Sequence, residues 1–322
     1  MIRNIYLHKV TAAMMLTLGA MTAAAQAYPT KPVRLLVPFA AGGGTDMLAR
    51  MVAQRLTESF GQTVVVDNRP AVDGIIATET VAKAAPDGYT LILVSSSHAI
   101  NPALRKNLPY DTQKDFAPIT QTAVQQLLLV THPSVPAKTV KELISLLKAE
   151  PAKFNYGSSS NAVALPMELF KSMSGTQVQH IPYKGTAPMM NDLLGGQVQM
   201  SISGAIGAIP HVKTGKLRAL AIGDSRRSEI LPDIPTIAES GLPGYQAANR
   251  TGMFGPAKLP RMIIDKVNKD VVRIVQQPDF KAKMNQMGSE TVGSTPEEWG
   301  KFIETEIVKW AKIVKIAGLK PE

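Results

Sequence analysis

Three consecutive glycines, Gly42, Gly43 and Gly44, are the first residues whose type and spacing suggest chemistry. Glycine has no side chain, so the backbone N–H groups of such a loop can approach a ligand closely. The amphipathic segment that follows is a predicted helix, which adds unpaired amides and the positive end of its dipole at the same place. The segment therefore predicts an anion-binding loop, with a glycine-rich turn that binds nothing as the alternative.

The spacing around these glycines argues against nucleotide phosphate as the anion. A dinucleotide fingerprint needs a glycine at its sixth position, which falls on Met47 when the count starts at Gly42. A phosphate-binding P-loop needs Gly-Lys-Ser/Thr, whereas Thr45 and Asp46 follow Gly44. We expect Asp46 at or near the helix N-cap, where its carboxylate would bond the free amides of the first turn.

Three further loops share the polar and weakly charged character of the glycine loop. Each follows a predicted strand and leads towards a helix, although each alone is also typical of an ordinary Ser/Gly-rich turn. Because ligands of open α/β sheets bind beyond the carboxyl ends of strands, the four loops together predict a cleft that holds a carboxylate without a metal. Their residues are Ser96, Ser97, His98 and Asn101 in the first, Ser158, Ser159, Ser160, Asn161 and Ala162 in the second, and 183–188 in the third.

No residue pattern supports catalysis, a metal or a cofactor. The four histidines beyond residue 27 show no metal-ligand spacing to one another or to a nearby carboxylate. The chain has no G-x-S-x-G motif, and it has no cysteine that could serve as a nucleophile or a metal ligand. His98 alone lies in a candidate binding loop, where it is a candidate ligand contact, with no such contact as the alternative.

The first residues predict export. Arg3 and Lys9 belong to a basic start, which is followed by the apolar run 10–25 and by the small-x-small pattern Ala25-Gln26-Ala27. A membrane anchor is the alternative, but it would need a longer apolar run of about 20 residues. The sequence therefore predicts a signal peptide, 1–27, and an exported mature chain without a lipid anchor.

Composition limits the partners of the chain. The net charge is +10, but the basic residues are scattered and only 5% of all residues are aromatic. Nucleic-acid binding favours a dense basic stripe with interleaved aromatic residues, so we expect no nucleic-acid partner. A diffuse positive field is instead compatible with anionic small molecules.

Apolar, β-branched segments alternate with helical patterns along most of the chain, which predicts βαβ units and largely parallel sheets. A chain of 322 residues favours two domains. The last third is mainly helical, and we expect its helices to pack back on the first sheet, whose faces need cover. The predicted strands are 33–38, 63–67, 91–95, 127–131, 154–158, 177–182, 198–203 and 217–222, and the predicted helices are 47–60, 75–84, 140–149, 166–174, 188–194, 260–277, 279–287 and 296–317.

Several long motifs follow one another along the whole chain. Among them are 28-YPTKPVRLLVPFAAGGGTD-46, 60-FGQTVVVDNRP-70, 85-APDGYTLIL-93, 98-HAINPAL-104, 108-LPYDTQKDFAPIT-120, 180-HIPYKGTAPMMNDLLGGQVQM-200, 210-PHVKTGKLRALAI-222 and 232-PDIPTIAESGLPGY-245. In this order they resemble the Bug/TctC family, the extracytoplasmic solute-binding proteins of tripartite tricarboxylate transporters. The resemblance covers essentially all of 28–322.

The resemblance implies an α/β fold, the two-lobed type II periplasmic binding protein or Venus flytrap, in which each lobe is a mostly parallel sheet flanked by helices. Since the chain of such a protein crosses twice between its lobes, lobe one would comprise 28–126 and 249–322, and lobe two 127–248. The resemblance also implies that backbone amides and ordered waters of two facing loops, 39–45 and 158–162, hold a ligand carboxylate.

Departures from the family pattern bear on the ligand. Many members have an acidic residue after the strand that corresponds to 198–203, and in amino-acid binders it pairs with the α-ammonium group. Here the segment 200-MSISGAIGAIPH-211 has no carboxylate, and because a buried ammonium without a partner is costly to desolvate, we expect amino acids to bind poorly. Arg250 is a candidate clamp for a second carboxylate, with a hinge or surface residue as the alternative. Where family members usually have a glycine-rich stretch after the Asn-Arg-Pro motif, this chain has 71-AVDGIIATE-79.

The sequence therefore predicts a periplasmic receptor that captures a small organic acid, an aliphatic or aromatic dicarboxylate, and delivers it to the membrane subunits of a tripartite tricarboxylate transporter. We expect a monomer with no enzymatic activity. The alternatives are a signalling partner of a membrane sensor, a binder of amino acids or monocarboxylates, and a hydrolase, which the missing nucleophile–base pair disfavours. The candidate ligand-binding residues are Phe39, Ala40, Ala41, Gly43, Thr45, Asp46, Ser96, Ser97, His98, Ser158, Ser159, Ser160, Asn161, Ala162, Ser203 and Arg250.

Overall fold

A computed structural model describes residues 28–70, 72–151, 153–228 and 231–321 of the chain. The predicted signal peptide, 1–27, lies outside the described residues. Within these ranges, every helix is too short or too polar to cross a membrane.

Strands and helices alternate through the first two thirds of the described chain, and helices dominate its last third. The strands are β1 (Val33–Val37), β2 (Val64–Asn68), β3 (Thr90–Val94), β4 (Phe116–Gln125), β5 (Leu127–Thr131), β6 (Asn155–Ser158), β7 (Gln179–Pro182), β8 (Met200–Gly204), β9 (Arg218–Ile222), β10 (Asn249–Pro256) and β11 (Ser289–Thr291). The helices are α1 (Gly44–Phe60), α2 (Ile75–Ala82), α3 (Ser97–Leu104), α4 (Val140–Ala149), α5 (Asn161–Ser174), α6 (Thr186–Leu194), α7 (Ala205–Lys213), α8 (Arg261–Val275), α9 (Pro278–Gln286) and α10 (Pro296–Ile316).

All predicted strands and helices are confirmed, with shifted ends, and five strands and α-helices of the described chain were missed. The missed elements are β4, β10, β11, α3 and α7. Two of them are short helices with an internal proline, Pro102 in α3 and Pro210 in α7, which weakens the sequence signal for a helix. Helices with a clear local start signal were easier to predict: Thr295 and Glu298 form the capping box that begins α10.

The strands form two sheets, so the two-sheet α/β fold is confirmed. Sheet A has six strands in the order β11-β4-β10-β3-β1-β2, and sheet B has five in the order β7-β6-β8-β5-β9. Strand β1 is parallel to β2 and β3, and β6 is parallel to β7 and β8. Strands β4, β10 and β11 pair antiparallel in sheet A, as β5 does with β8 and β9 in sheet B. Each sheet is therefore mixed rather than mostly parallel.

The chain crosses between the two sheets at two neighbouring points. Strand β4 ends in sheet A at Gln125, and β5 starts in sheet B at Leu127. The return brings the chain from β9 in sheet B to β10, which starts in sheet A at Asn249. The assignment of whole segments to two lobes at these points stays a prediction.

The C-terminal helices pack back on sheet A, as expected. Val267 and Val271 of α8 belong to the same buried cluster as Leu35 of β1. On the opposite side, Trp299 of α10 packs with Phe254 of β10. Each face of sheet A is thereby covered by apolar side chains, which removes them from water.

Helix α10 also reaches the second core. Its last turns bring Trp310, Ile313 and Val314 into the buried cluster that contains Leu129 of β5 and Phe170 of α5. One helix therefore contributes buried side chains to the cores of both sheets.

Candidate functional site

The carboxyl ends of the parallel strands define one loop-bearing edge in each sheet. In sheet A, β1, β2 and β3 run in the same direction, so the loops after Val37, Asn68 and Val94 lie at one edge. In sheet B, β6 and β7 likewise place the loops after Ser158 and Pro182 at one edge. These are the positions at which open α/β sheets bind ligands.

The glycine loop is exposed at its edge. Ala40, Ala41, Gly42 and Gly43 are all exposed, and α1 begins at Gly44. Gly43 is the N-cap residue and has no side chain that caps the helix. The first amides of α1 have no partner within the helix, so they are available to an anion outside it.

Asp46 stabilises this loop by hydrogen bonds and does not cap helix α1. Its carboxylate accepts hydrogen bonds from the N–H of Gly42 at 2.8 Å, from Arg50 at 3.1 Å and from the Asn68 amide at 2.8 Å. The same Asn68 amide donates to the carbonyl oxygen of Phe39 at 3.1 Å. The expected bond from Asp46 to the first-turn amides is therefore wrong, because its carboxylate turns back to the residues before the helix.

The environment of Asp46 keeps its carboxyl group ionised. The side chain is 2% exposed, and burial alone would raise its pKa. The hydrogen bonds from Gly42, Arg50 and Asn68 outweigh burial and hold the pKa of Asp46 below its usual value. Asp46 therefore fixes the shape of the glycine loop and leaves the helix amides unoccupied.

The Gln125 amide side chain, which the sequence did not predict as part of the site, lies beside the start of α1, and the Asn249 amide is hydrogen-bonded to it. A Cβ atom on Gly44 would lie 2.0 Å from the Nε2 atom of Gln125, so the Gln125 amide occupies the space that a side chain at position 44 would fill. The Gln125 Oε1 atom accepts a hydrogen bond from Asn249 at 3.0 Å, and the Asn249 Oδ1 atom accepts one from the N–H of Ser96 at 3.2 Å. Gln125 and Asn249 flank the two chain crossings, in strands that local patterns did not predict.

The serine loop of sheet B is largely tied to its own sheet. The Ser158 hydroxyl is 2.7 Å from the Nε2 atom of His180, and the Ser159 hydroxyl is 3.3 Å from that of Thr186. Ser160 is the N-cap residue of α5, but its side chain makes no capping bond. The start of α5 is therefore a second place where helix amides need an external acceptor.

Ser158 and His180 form a hydrogen-bonded pair that the sequence spacing did not reveal, because they lie on neighbouring strands, β6 and β7. The His180 ring stacks on Tyr156 at 4.6 Å between ring centroids. Among the described residues, nothing hydrogen-bonds the Nδ1 atom of His180, so the orienting third member of a catalytic triad is missing there. Ser158 is also 3% exposed, so this pair ties the two strands together.

Asp73, in the turn after β2, makes the direct polar contact between the two loop edges. Its carboxylate accepts a hydrogen bond from the Asn161 side-chain amide at 2.7 Å and one from the Asn161 backbone N–H at 3.3 Å. The Arg105 guanidinium lies 3.5 Å from the same carboxylate, and the Asn101 amide donates to the Asp73 carbonyl oxygen at 3.0 Å. Asn161 is thus brought to sheet A through a residue that was not among the candidates.

The turn that carries Asp73 also packs on the base of the glycine loop. A Cβ atom on Gly74 would lie 2.5 Å from the Cβ atom of Pro38, which is the residue after β1. The turn therefore has the glycine loop on one side and the start of α5 on the other. This contact places two of the predicted anion-binding loops beside the same short turn.

His98 lies in the core and not in a binding loop. It is 3% exposed and sits with its ring centroid 5.0 Å from those of Phe116 and Phe254 and 6.3 Å from that of Tyr110. Burial lowers the pKa of His98 to about 4, and the nearby Thr112 backbone offsets this only in part. Its predicted loop is in fact the start of α3, so His98 has no surface to offer a ligand.

Several other candidates are buried. Thr45, Ser97, Ala162 and Ser203 are all less than 9% exposed. The Ser96 hydroxyl accepts a hydrogen bond from the backbone N–H of Arg250 at 2.9 Å. This bond connects the end of β3 to β10. These side chains shape the two edges from within, whereas exposed backbone is found in the glycine loop.

Arg250 lies beside the point where the chain crosses between the two sheets. Its guanidinium lies 3.8 Å from the Asp224 carboxylate and 5.1 Å from the ring centroid of Phe302 in α10. The side chain is only 19% exposed, and Asp224 follows β9 of sheet B. Arg250 therefore joins the two sheets beside the crossing, and its role as a clamp on a second carboxylate stays a prediction.

Nothing in the described part of the chain offers a metal site, since no three His, Asp or Glu side chains cluster suitably.

A family model described as "Tripartite tricarboxylate transporter family receptor" matches residues 48–319. The chain belongs to this family. Protein BugT of Bordetella pertussis is 37% identical to the receptor over 300 residues, which cover 92% of each chain.

Solved structures of the same kind agree with the fold of the receptor. One, described as "R. palustris Rpa4515 with adipate", has a TM-score of 0.86 at 37% identity and covers 92% of this chain and 100% of its own. Another, MatC of Rhodopseudomonas palustris with bound malate, has a TM-score of 0.82 at 30% identity and covers 89% of this chain and 100% of its own. Proteins of this family are solute-binding receptors, so this receptor is a binding protein and not an enzyme.

Proposed function

We propose that the receptor works in the periplasm, captures a small organic acid between the loop edges of its two sheets, and delivers it to the membrane subunits of a tripartite tricarboxylate transporter. Dicarboxylates, aliphatic or aromatic, are the proposed ligands. The support is that adipate and malate, bound to two related proteins, each carry two carboxylates. We further propose that 28–126 with 249–322 and 127–248 act as the two lobes of a monomer.

The observation that carries this proposal is the exposed glycine loop at the start of α1. Asp46 fixes the loop through the Gly42 N–H without using the helix amides, and its own charge is paired with Arg50. A carboxylate would therefore meet backbone N–H donors and a helix dipole, which favour an anion. Charge-assisted hydrogen bonds of this kind are among the stronger ones in proteins.

Gly43→Ala tests the site because the substitution leaves the fold untouched. Gly43 has a φ of −78°, and an added Cβ atom would approach nothing in the protein closer than 3.7 Å. A ligand held by the loop would meet the new methyl group, so its affinity should fall roughly tenfold or more, the effect of one lost charge-assisted hydrogen bond. Isothermal titration with adipate and malate measures the affinity, and a melting temperature within about 2 °C of the parent verifies the fold.

Gly195→Ala is the matched control, since it lies at the end of α6 opposite to the loop edge and should bind like the parent. Equal affinities of Gly43→Ala and the parent would contradict the proposed site.

The same titration compares glutarate with glutamate: β8 ends in Ser201–Gly204 without a carboxylate, so an ammonium group has no partner there. Tighter binding of glutamate would contradict the preference for dicarboxylates.

A further inference from the structure

Gln125 is the last residue of β4 and lies where the chain passes from sheet A to sheet B. Its Nε2 atom lies beside the start of α1, 2.0 Å from the place that a Cβ atom on Gly44 would take. Its Oε1 atom lies 3.7 Å from the place that a Cβ atom on Gly204, at the end of β8, would take. The Gln125 side chain therefore lies between the loop edges of the two sheets.

A short series of hydrogen bonds fixes which end of the Gln125 amide is the donor. The backbone N–H of Ser96 can only donate, so the Asn249 side chain accepts from it through Oδ1, at 3.2 Å. The Asn249 Nδ2 atom is therefore the donor to Gln125, whose Oε1 atom accepts at 3.0 Å. This leaves the Gln125 Nε2 atom, which carries two N–H groups, on the side of Gly44.

Among the described residues, nothing accepts a hydrogen bond from the Gln125 Nε2 atom. The side chain is partly exposed, so a bound molecule can reach this atom. The unpaired N–H groups at a helix start point along the helix axis, whereas a Cβ atom points to the side. Because Nε2 lies on the Cβ side of Gly44, it flanks a carboxylate bound at the glycine loop and lies beside the carbon atom that carries this carboxylate.

We propose that Gln125 is a specificity-determining residue that contacts the ligand and selects an oxygen atom on the carbon next to the bound carboxylate. Dicarboxylates with a 2-oxo or 2-hydroxy group have such an oxygen, which accepts from Nε2. A methylene group leaves this donor without a partner, and an ammonium group sets donor against donor. This inference rests on the proposed function, since it places one ligand carboxylate at the glycine loop.

Three substitutions change the donor in different ways. Gln125→Met keeps a side chain of similar length without a donor, and Gln125→Glu replaces the donor by an acceptor. Asn249→Asp leaves Gln125 itself unchanged: the new carboxylate still accepts from Ser96 and also accepts from Nε2, so the Gln125 amide turns its oxygen towards the ligand. Gln197→Glu, at an exposed position in the turn between α6 and β8, is the matched control for the added charge.

The binding readout compares 2-oxoglutarate, glutarate and glutamate, which share one carbon skeleton and differ only at the carbon next to a carboxylate. The parent should bind 2-oxoglutarate roughly three- to tenfold more tightly than glutarate, the effect of one hydrogen bond. Gln125→Met should bind these two ligands equally. Gln125→Glu and Asn249→Asp should shift the preference from 2-oxoglutarate towards glutamate, and Gln197→Glu should keep the parent's order.

Isothermal titration at one fixed ionic strength measures all five proteins. Since 2-oxoglutarate and glutarate carry the same charge, the ratio of their affinities separates the hydrogen bond from the charge that a substitution adds. The series is repeated with 2-oxoadipate, adipate and 2-aminoadipate, so that a preference for one chain length does not decide the result. A melting temperature within about 2 °C of the parent verifies the fold of each variant.

The outcomes separate this inference from the proposed function. A parent that binds the plain diacids, with no preference for the 2-oxo acids, overturns the role of Gln125 and leaves the proposed function standing. An unchanged preference in folded Gln125→Met does the same, and if Gln125→Met does not fold, an unchanged preference in Asn249→Asp does so. No binding of either ligand series by any of the proteins would refute the proposed function, and the selection by Gln125 with it.

Discussion

At the scale of single residues, the surroundings of His98 explain its lowered pKa. His98 lies among the rings of Tyr110, Phe116 and Phe254, and its pKa of about 4 follows from burial. In an unfolded chain the same side chain has a pKa of about 6.5. The folded state therefore keeps His98 neutral at pH values where the unfolded state binds a proton.

This difference makes stability depend on pH between about 4 and about 6.5. The unfolded state binds the extra proton in this window, so the free energy of unfolding falls as the pH is lowered, by up to about 3 kcal/mol from this residue. His98→Phe should lose this part of the decline, whereas the matched control His211→Gln should keep it. Urea unfolding at pH 7 and pH 4.5 measures the difference, and identical declines in all proteins would contradict the buried, neutral state of His98.

At the scale of elements, β10 depends on one glycine. A Cβ atom on Gly252 would lie 2.4 Å from the Trp299 ring and 2.8 Å from the carbonyl oxygen of Thr120. Strand β10 runs between β3 and β4 while α10 covers it, so these neighbours approach the Gly252 backbone from two sides. Only glycine lets the helix and the adjacent strand come this close to β10.

Gly252→Ala should therefore destabilise the protein by about 1–3 kcal/mol through overpacking. Gly207→Ala is the matched control: its Cβ atom would make contacts of 3.7 Å and 3.8 Å, and alanine is the better helix former within α7. Urea denaturation followed by circular dichroism measures both variants. A free energy of unfolding for Gly252→Ala equal to that of the parent would show that Trp299 can yield.

Elements with a local signal could be predicted from the sequence, and those defined by distant partners could not. The glycine loop and the helix that follows it depend on neighbouring residues, and the sequence predicted both. Strand β10 contains Gly252 and ends at Pro256, so its pattern is not that of a strand, and only pairing with β3 and β4 makes it one. Likewise the contact of Asp73 with Asn161 joins two distant loops, and no local pattern contains it.

At the scale of the whole molecule, α10 couples the two cores. Trp299 near its start is buried with Phe254 beside sheet A, and Trp310 near its end is buried in the cluster of Leu129 and Phe170 beside sheet B. The two crossings between Gln125 and Leu127 and near Asn249 are therefore accompanied by a third link. Because α10 contributes to both cores, loss of either core should weaken the other.

Trp310→Ala should lower the free energy of unfolding by about 3–5 kcal/mol, as expected for a fully buried large side chain. Its Nε1 atom also donates to the Glu306 carboxylate at 2.8 Å, which the substitution leaves without this donor. Val308→Ala, at a position that is 71% exposed on the same helix, should change stability by less than about 0.5 kcal/mol. Equal midpoints in urea for the two variants would argue against the role of α10 in the second core.

The position of the two tryptophans on α10 has an optical consequence. They are the only ones in the sequence, and each is 1% exposed. Trp299→Phe would leave a fluorophore that reports on the core of sheet B, and Trp310→Phe one that reports on the core of sheet A. Since both indoles are shielded from water, ligand capture at the loop edges should barely alter their emission, whereas melting of each core should shift its own spectrum.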